Sequence, residues 1–341
     1  YINNPTLFNQ INSSYYYGQN VYFTTTYNST PDIYSWYEGQ LINGSTYCNV
    51  WWIRLPNGIP ANSNVTIYMY IGNSSSNYYR QYYPYVGSLS SLMDNGQYVF
   101  IAYGYFWFTF DGWTGYVYNG SWSPEISPLP DGIIMLNDSP WEGTYVLPPN
   151  NGNIPRIPLI VEEGWWFSGS PYSEEGAHVI ALFGNTSQQV LAANIGSTDG
   201  GSTPVPNLST FAQFQYKYYL SLFFQGTLML KSAVTDQYLN YTNFSGVYLY
   251  SYLIVNSTYV EAGYYFYNPN SYIVWIPITL LDTYSVNNNG RTYFTLNYNP
   301  FQYGTLEISA GDGSAPSYQG VQWVVARAYP PNGVMPSIYI G

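Results

Sequence analysis

Glu162-Glu163-Gly164-Trp165-Trp166-Phe167, followed by Glu174-Glu175, is the stretch best furnished for catalysis. Glycosidases use two carboxyl groups across a groove, one as acid and the other as nucleophile or base. Trp165 and Trp166 would form a carbohydrate platform, stacking on sugar rings and raising a neighbouring carboxyl's pKa by desolvation. Successive strand residues point to opposite faces, so Glu162 and Glu163 do not line one groove together. A pair would need one of them with Glu174, Glu175 or a distant acid. The plainer account is a solvated turn after a strand, with the tryptophans packing a sheet edge. We prefer it and assign no catalytic residue; an acid-active glycosidase or carboxyl peptidase is the lesser alternative.

Other chemistry is sparse. The lone histidine, His178, lies in the apolar run Ala177-His-Val-Ile-Ala-Leu-Phe183, with no Gly-x-Ser-x-Gly elbow beside it. Cys48 is the single cysteine, so an internal disulfide and a His/Cys metal site are both excluded. Beside Val50-Trp51-Trp52 it reads as buried and inert. Asp94, Asn95, Asp111, Asp131, Asp138 and Asp312 offer oxygens in turn contexts, but their spacing fits no EF-hand loop. We assign no metal and no cofactor.

The elements that would carry these groups are strands. Val65-Thr-Ile-Tyr-Met-Tyr-Ile71 alternates, with Val65, Ile67, Met69 and Ile71 on one face and Thr66, Tyr68 and Tyr70 on the other. With Val50-Trp-Trp-Ile53 it is expected to form a hairpin-like pair across a Pro56–Pro60 loop, covered by a second sheet. Gln97–Phe110 reads as two strands or one bent strand, with a bulge or break at Gly104, and residues 119–156 as long loops. Strands are expected at 158–162, 177–183, 212–224, 227–231, 247–255, 258–267, 272–280, 292–297, 304–309 and 321–329. Short strands separated by Gly/Pro/Asn turns, with no fixed repeat and no capped helical pattern, predict an all-β fold, an antiparallel β-sandwich or jelly roll. It is either one domain or two. The best linker or large loop is Gly196–Pro206, dividing a sandwich part (31–200) from a β-rich C-terminal part (207–341). Residues 1–30 form an N-terminal arm, packed on its own domain or donated as a strand to a neighbour.

Only 7% of the 341 residues are charged, and the formal net charge is −11. That balance excludes nucleic acid as a partner. In strong acid the seven Lys/Arg and His178 leave about +8. A chain with few ion pairs loses little when its carboxylates protonate, which suits an acidic, exposed habitat. No run of about 18 apolar residues occurs, so no membrane-spanning helix is expected. The chain starts at Tyr1, as expected of a form whose export signal has been removed.

Twelve N-glycosylation sequons, at Asn12, Asn28, Asn43, Asn64, Asn73, Asn119, Asn137, Asn185, Asn207, Asn240, Asn243 and Asn256, exceed the roughly five expected by chance. Covalent N-glycans on an extracellular, cell-surface protein are the reading. Tyr-rich surfaces with Asn, Ser and Thr also suit interfaces, so self-association is expected.

Trp51-Trp-Ile-Arg-Leu-Pro56 and Ile67-Tyr-Met-Tyr-Ile-Gly-Asn73 resemble the paired strands of an uncharacterised domain found in exported proteins, W-V-[KR]-[LV]-P … I-Y-[LM]-Y-[YI]-G-N. Asp94-Asn-Gly-Gln-Tyr-Val-Phe100 resembles the same family's D-x-G-x-x-V-F step. Trp323–Pro336 is similar to the closing strand and turn of archaeal members from hot acidic habitats. The resemblance implies an exported surface protein with a concanavalin-like (laminin-G-like) jelly roll, and it carries no catalytic residue. The reading is an extracellular structural or adhesive subunit of a filament, pilus or coat, with a virion surface as an equal setting. The alternative is a lectin-like module binding surface polysaccharide.

Overall fold

The computed structural model describes residues 11, 18–43, 46–89, 93–106, 109–118, 126–129, 132–137, 143–169, 175–183, 190–198, 217–224, 227–232, 247–266, 280, 290–295, 304–312, 317–330 and 333–339. The fold is all-β, an antiparallel sandwich of jelly-roll type with a smaller β unit. Two compact units divide the chain: one takes residues 1–101, 279–285 and 337–341, the other 102–278 and 286–336.

The first unit holds β1 (Val21–Thr24), β2 (Tyr34–Asn43), β3 (Thr46–Arg54), β4 (Tyr68–Ile71) and β5 (Val86–Ser88), with short helices α1 (Tyr78–Tyr82) and α2 (Gly96–Val99). The expected pairing of the Val50 and Val65 runs is corrected: β4 pairs with β1, and β3 with β2. Loop length explains this. Two residues, Gly44 and Ser45, separate Asn43 from Thr46, and a two-residue Gly-x connection favours a hairpin, so β3 pairs with β2. The long Pro-rich segment after β3 instead carries the chain over to the opposite sheet. Both runs still share one core. Val21, Phe23 and Ile33 are packed by Trp51 and Ile53 of β3 and by Met69 and Ile71 of β4.

Residues 97–110 are also corrected, forming a helical turn and only then a strand. Asp94 Oδ1 accepts from the indole N–H of Trp36 and the backbone N–H of Gly96, each at 3.1 Å. Asn95 Nδ2 donates to the carbonyls of Ser35 and Pro84. These bonds turn the chain, and Phe100 then packs edge-on against Trp36 at 5.3 Å. The Asp94–Phe100 step is thus a clamp on β2. Glu38 of β2 makes a second one, accepting from Trp52 Nε1 at 2.6 Å and from the Leu280 N–H at 2.7 Å.

The second unit begins with β6 (Ala102–Tyr105), β7 (Thr114–Tyr118), β8 (Ile126–Leu129), β9 (Gly132–Asn137) and β10 (Gly143–Leu147). It continues with β11 (Leu159–Gly169), β12 (Glu175–Phe183), β13 (Val190–Thr198), β14 (Lys217–Phe224) and β15 (Thr227–Ser232). The last strands are β16 (Val247–Val255), β17 (Tyr259–Phe266), β18 (Gly290–Thr295), β19 (Thr305–Asp312) and β20 (Ser317–Ala328). One sheet runs β15-β14-β13-β12-β19-β10-β7 and the other β18-β17-β16-β11-β20-β9-β8, with β6 also on β20. The expected loops at 119–156 therefore contain three strands. Pro128 did not prevent this because β8 lies at a sheet edge, where a missing N–H costs no ladder bond. The runs at 158–162 and 177–183 are strands as expected. The expected strand at 272–280 lies outside the described residues except Leu280.

In the seven-stranded sheet Val146, Ile180, Leu182, Leu306 and Ile308 share one buried face in register. The eight-stranded sheet is buried on both faces around β11. Val161, Leu253, Ala262 and Ala326 line one face, and Tyr250, Tyr252, Trp323 and Val325 the other. Gly196–Thr198, the start of the expected linker, is the end of β13, whose hydrogen-bonded neighbour β14 follows in sequence, and the remainder to Pro206 lies outside the described residues. The arm's strand β1 is likewise paired within its own chain.

Candidate functional site

β11 carries the expected acids through the middle of the eight-stranded sheet, not in a solvated turn. Glu162 and Glu163 are fully buried and, being adjacent in a strand, face opposite ways. Glu162 accepts from Arg327 Nε at 2.8 Å and from the Tyr250 hydroxyl. Glu163 accepts from Ser251 Oγ at 2.7 Å, and Ser251 Oγ in turn accepts from the Trp165 indole N–H at 3.0 Å. Two strands from Glu162, Glu261 accepts from the Tyr252 hydroxyl at 2.9 Å. Each acid is thus engaged by a cross-strand neighbour. Gly164 and Gly263 make room for this. A methyl at Gly164 would sit 2.4 Å from the Trp323 indole nitrogen, and one at Gly263 2.4 Å from the Tyr252 hydroxyl.

This geometry corrects the sugar platform at Trp165. Its ring is 3% exposed, and its N–H is committed to Ser251. Trp166 stands in β11 between Tyr248 and Gly320, and its side chain lies outside the described residues. Glu175 begins β12 in the other sheet, and Glu174 lies outside the described residues. The acids near Trp165 are therefore divided between two sheets and two strand faces. His178 stands in β12 opposite Ile195 and Ala310. Among the described residues no three His, Cys, Asp or Glu side chains come together as metal ligands. Asp94 is held by Trp36, while Asp111 accepts from the Tyr105 N–H at 2.6 Å and from Thr109 Oγ1 at 2.7 Å.

Half-buried tyrosines gather in the first unit. Tyr34 stacks on Tyr85 at 4.7 Å and on Tyr98 at 5.5 Å, with interplanar angles of 7° and 18°. Tyr83, 44% exposed, meets Tyr98 edge-on at 6.2 Å. Arg54, exposed beside this ladder, donates to the Tyr98 carbonyl at 3.3 Å. Burial, with the Tyr85 hydroxyl second, raises the Tyr34 pKa; burial, then Tyr98, raises that of Tyr83. A second tyrosine face lies on the outside of β1 and β4, where Tyr22 stacks on Tyr70 at 4.9 Å. Tyr78 and Tyr82 of α1 close on Tyr22 edge-on at 4.9 and 5.3 Å. The alternation of residues 65–71 pointed to Tyr68 and Tyr70. Nothing local pointed to the Tyr34–Tyr85–Tyr98 ladder, whose members come from three segments.

No protein-family model matches the chain. A curated relative does. Uncharacterized protein 562 of Sulfolobus islandicus rod-shaped virus 1 is 28% identical over 323 residues, covering 90% of this chain and 50% of that protein. The chain spans about half the length of this relative. Among solved structures, the VIP36 exoplasmic/lumenal domain in its metal-free form has a TM-score of 0.41 at 6% identity, over 65% of this chain and 87% of that one. A Bauhinia forficata lectin in complex with GalNAc has a TM-score of 0.38 at 10% identity, over 64% and 94%. The Bacillus licheniformis β-glucanase has 0.32 at 8%, over 57% and 78%. The fold assignment rests on the strand order, since likenesses this remote carry no argument about activity.

The sequons divide by exposure. Asn28, Asn64 and Asn73 are exposed. Asn256 is 3% exposed, and its carboxamide oxygen accepts from the N–H and hydroxyl of Ser257, so the folded chain shields it. Asn43 and Asn137 stand in β2 and β9; their side chains and the other six sequons lie outside the described residues. Among the described residues no helix is long and apolar enough to cross a membrane.

Proposed function

We propose that this chain is an extracellular, glycosylated surface protein that recognises carbohydrate through half-buried, stacked tyrosines of its first unit and the exposed Tyr83 beside them, without catalysis. The observation that carries the reading is the Tyr34–Tyr85–Tyr98 ladder with Tyr83 on its flank. Sugar rings bind where aromatic surface and hydroxyls occur together, and rings held rigidly lose little entropy on binding. The low charge of the chain supports an uncharged ligand. Burial and bonding of Glu162 and Glu163 weigh against the acid-hydrolase alternative.

Binding to a panel of neutral glycans at acidic pH tests the reading. Tyr34→Ala and Tyr98→Ala are expected to weaken binding about tenfold each, as for loss of one stacking surface. A flat panel, or unchanged binding in both variants, overturns it.

A structural subunit of a virion, coat or appendage is the second reading, favoured by the similarity to a viral protein. Strand donation by β1 would compete with its pairing to β4, so an assembling strand would come from elsewhere in the chain. Electron microscopy of the protein in its native surface tests this: filaments or a lattice support it, and dispersed monomers count against it.

A further inference from the structure

We infer that Asn28 is an N-glycosylation site whose first sugar lies on the protein's own tyrosines, Tyr27, Tyr68 and Tyr70. The inference rests on the exported reading above. Asn28-Ser29-Thr30 sits at the tip of the turn after β1, exposed, with Asn28 at φ 58°. The turn is stiff. Asp32 accepts from the N–H of Thr25 at 2.7 Å and from its hydroxyl, and Ser29 Oγ donates to the Thr26 carbonyl at 2.8 Å.

That turn is also seated on tyrosine. The backbone N–H of Asn28 donates to the Tyr70 hydroxyl. The preceding ring, Tyr27, is 73% exposed and meets Tyr68 edge-on at 5.4 Å. A sugar on Asn28 therefore starts from a residue whose backbone bonds Tyr70 and whose preceding ring packs on Tyr68. Asn73, at the other end of β4, differs: its oxygen is already taken by the N–H and hydroxyl of Ser75 and by the hydroxyl of Ser76. In the transfer, the bond between the sugar's C1 and the phosphate oxygen of a lipid-linked glycosyl donor breaks. A bond from C1 to Asn28 Nδ2 forms, an amide proton is lost, and the lipid phosphate leaves. The sugar's apolar face then covers rings that otherwise meet water.

The test produces the full chain in a host that glycosylates exported proteins and in one that does not. Glycopeptide mass spectrometry measures occupancy, and thermal unfolding compares wild type with Asn28→Gln, Tyr27→Ala and Tyr68→Ala. The expected result is sugar at Asn28, none at Asn256, and a midpoint about 2 °C higher in the glycosylated wild type. That gain should vanish in Asn28→Gln and shrink in Tyr27→Ala, whose exposed ring the fold does not need. Sugar at Asn64 or Asn73 with Asn28 bare overturns this inference alone. A gain unaffected by both tyrosine variants also overturns it. No sugar at any sequon overturns the exported, glycosylated reading together with it.

Discussion

Two groups of tyrosines, one in each unit, are put to opposite uses. In the first unit the half-buried rings of Tyr34, Tyr85 and Tyr98 stack on one another. In the second, Tyr250 and Tyr252 are fully buried, and their hydroxyls donate to Glu162 and Glu261. The difference follows from what surrounds the sheet. Of the ladder only Tyr34 stands in a strand, with Tyr85 just before β5 and Tyr98 in α2, whereas β11, β16 and β20 are buried on both faces. A buried carboxylate there must be given donors, because an unmet charge out of water is expensive. Tyrosine suits this, supplying both apolar area and one directed donor. The buried carboxylates are thus tied into the sheet by their donors, while the stacked tyrosines of the first unit bond no carboxylate of that network.

The largest way to break that contrast is Arg327→Met. It strands Glu162 in the sheet and should cost about 3–5 kcal/mol, read by urea unfolding. A loss below about 1 kcal/mol would mean that the ion pair is not buried as described. Next comes Tyr252→Phe, which removes one donor from Glu261 and should cost about 1–3 kcal/mol.

The alkaline limb is smaller. Burial holds the Tyr79 hydroxyl well above the ordinary tyrosine pKa, the bond to Ser88 offsetting this in part. A raised acid pKa stabilises the fold fully below the unfolded value, near 10, and that contribution falls as pH rises towards the folded value. Unfolding free energy should therefore drop above pH ~10 by up to about 1.4 kcal/mol per pH unit from this group. Titrating stability from pH 8 to 11 in wild type and Tyr79→Phe checks it; the variant should show the shallower fall. The smallest effect is Tyr83→Ala, expected to change stability by no more than about 0.5 kcal/mol while weakening glycan binding. If it destabilises as much as Tyr252→Phe, the surface tyrosines are structural and the contrast fails.

Much of the architecture was legible because strand and turn signals are local. Alternation in residues 65–71 and apolar runs such as Ala177–Phe183 specify extended chain without knowledge of the partner. The two-residue Gly44-Ser45 connection is equally local and favours the pairing of β3 with β2. The candidate site was less legible. Glu162-Glu163 beside two tryptophans has the composition of a sugar-cleaving groove, and only the cross-strand positions of Ser251, Tyr250 and Arg327 turn it into an interior network.

Residue types and their order determined an all-β chain of low charge, dense in sequons and lacking the ligands of a His/Cys metal centre. Tertiary structure decided which strands meet, that β11 is covered on both faces, and that Trp165 is core while Tyr34, Tyr85 and Tyr98 assemble from distant segments. The physical reason is that backbone hydrogen bonds between strands are nearly blind to side-chain identity. Pairing, and with it the burial of every second residue, is settled by packing across the whole sheet.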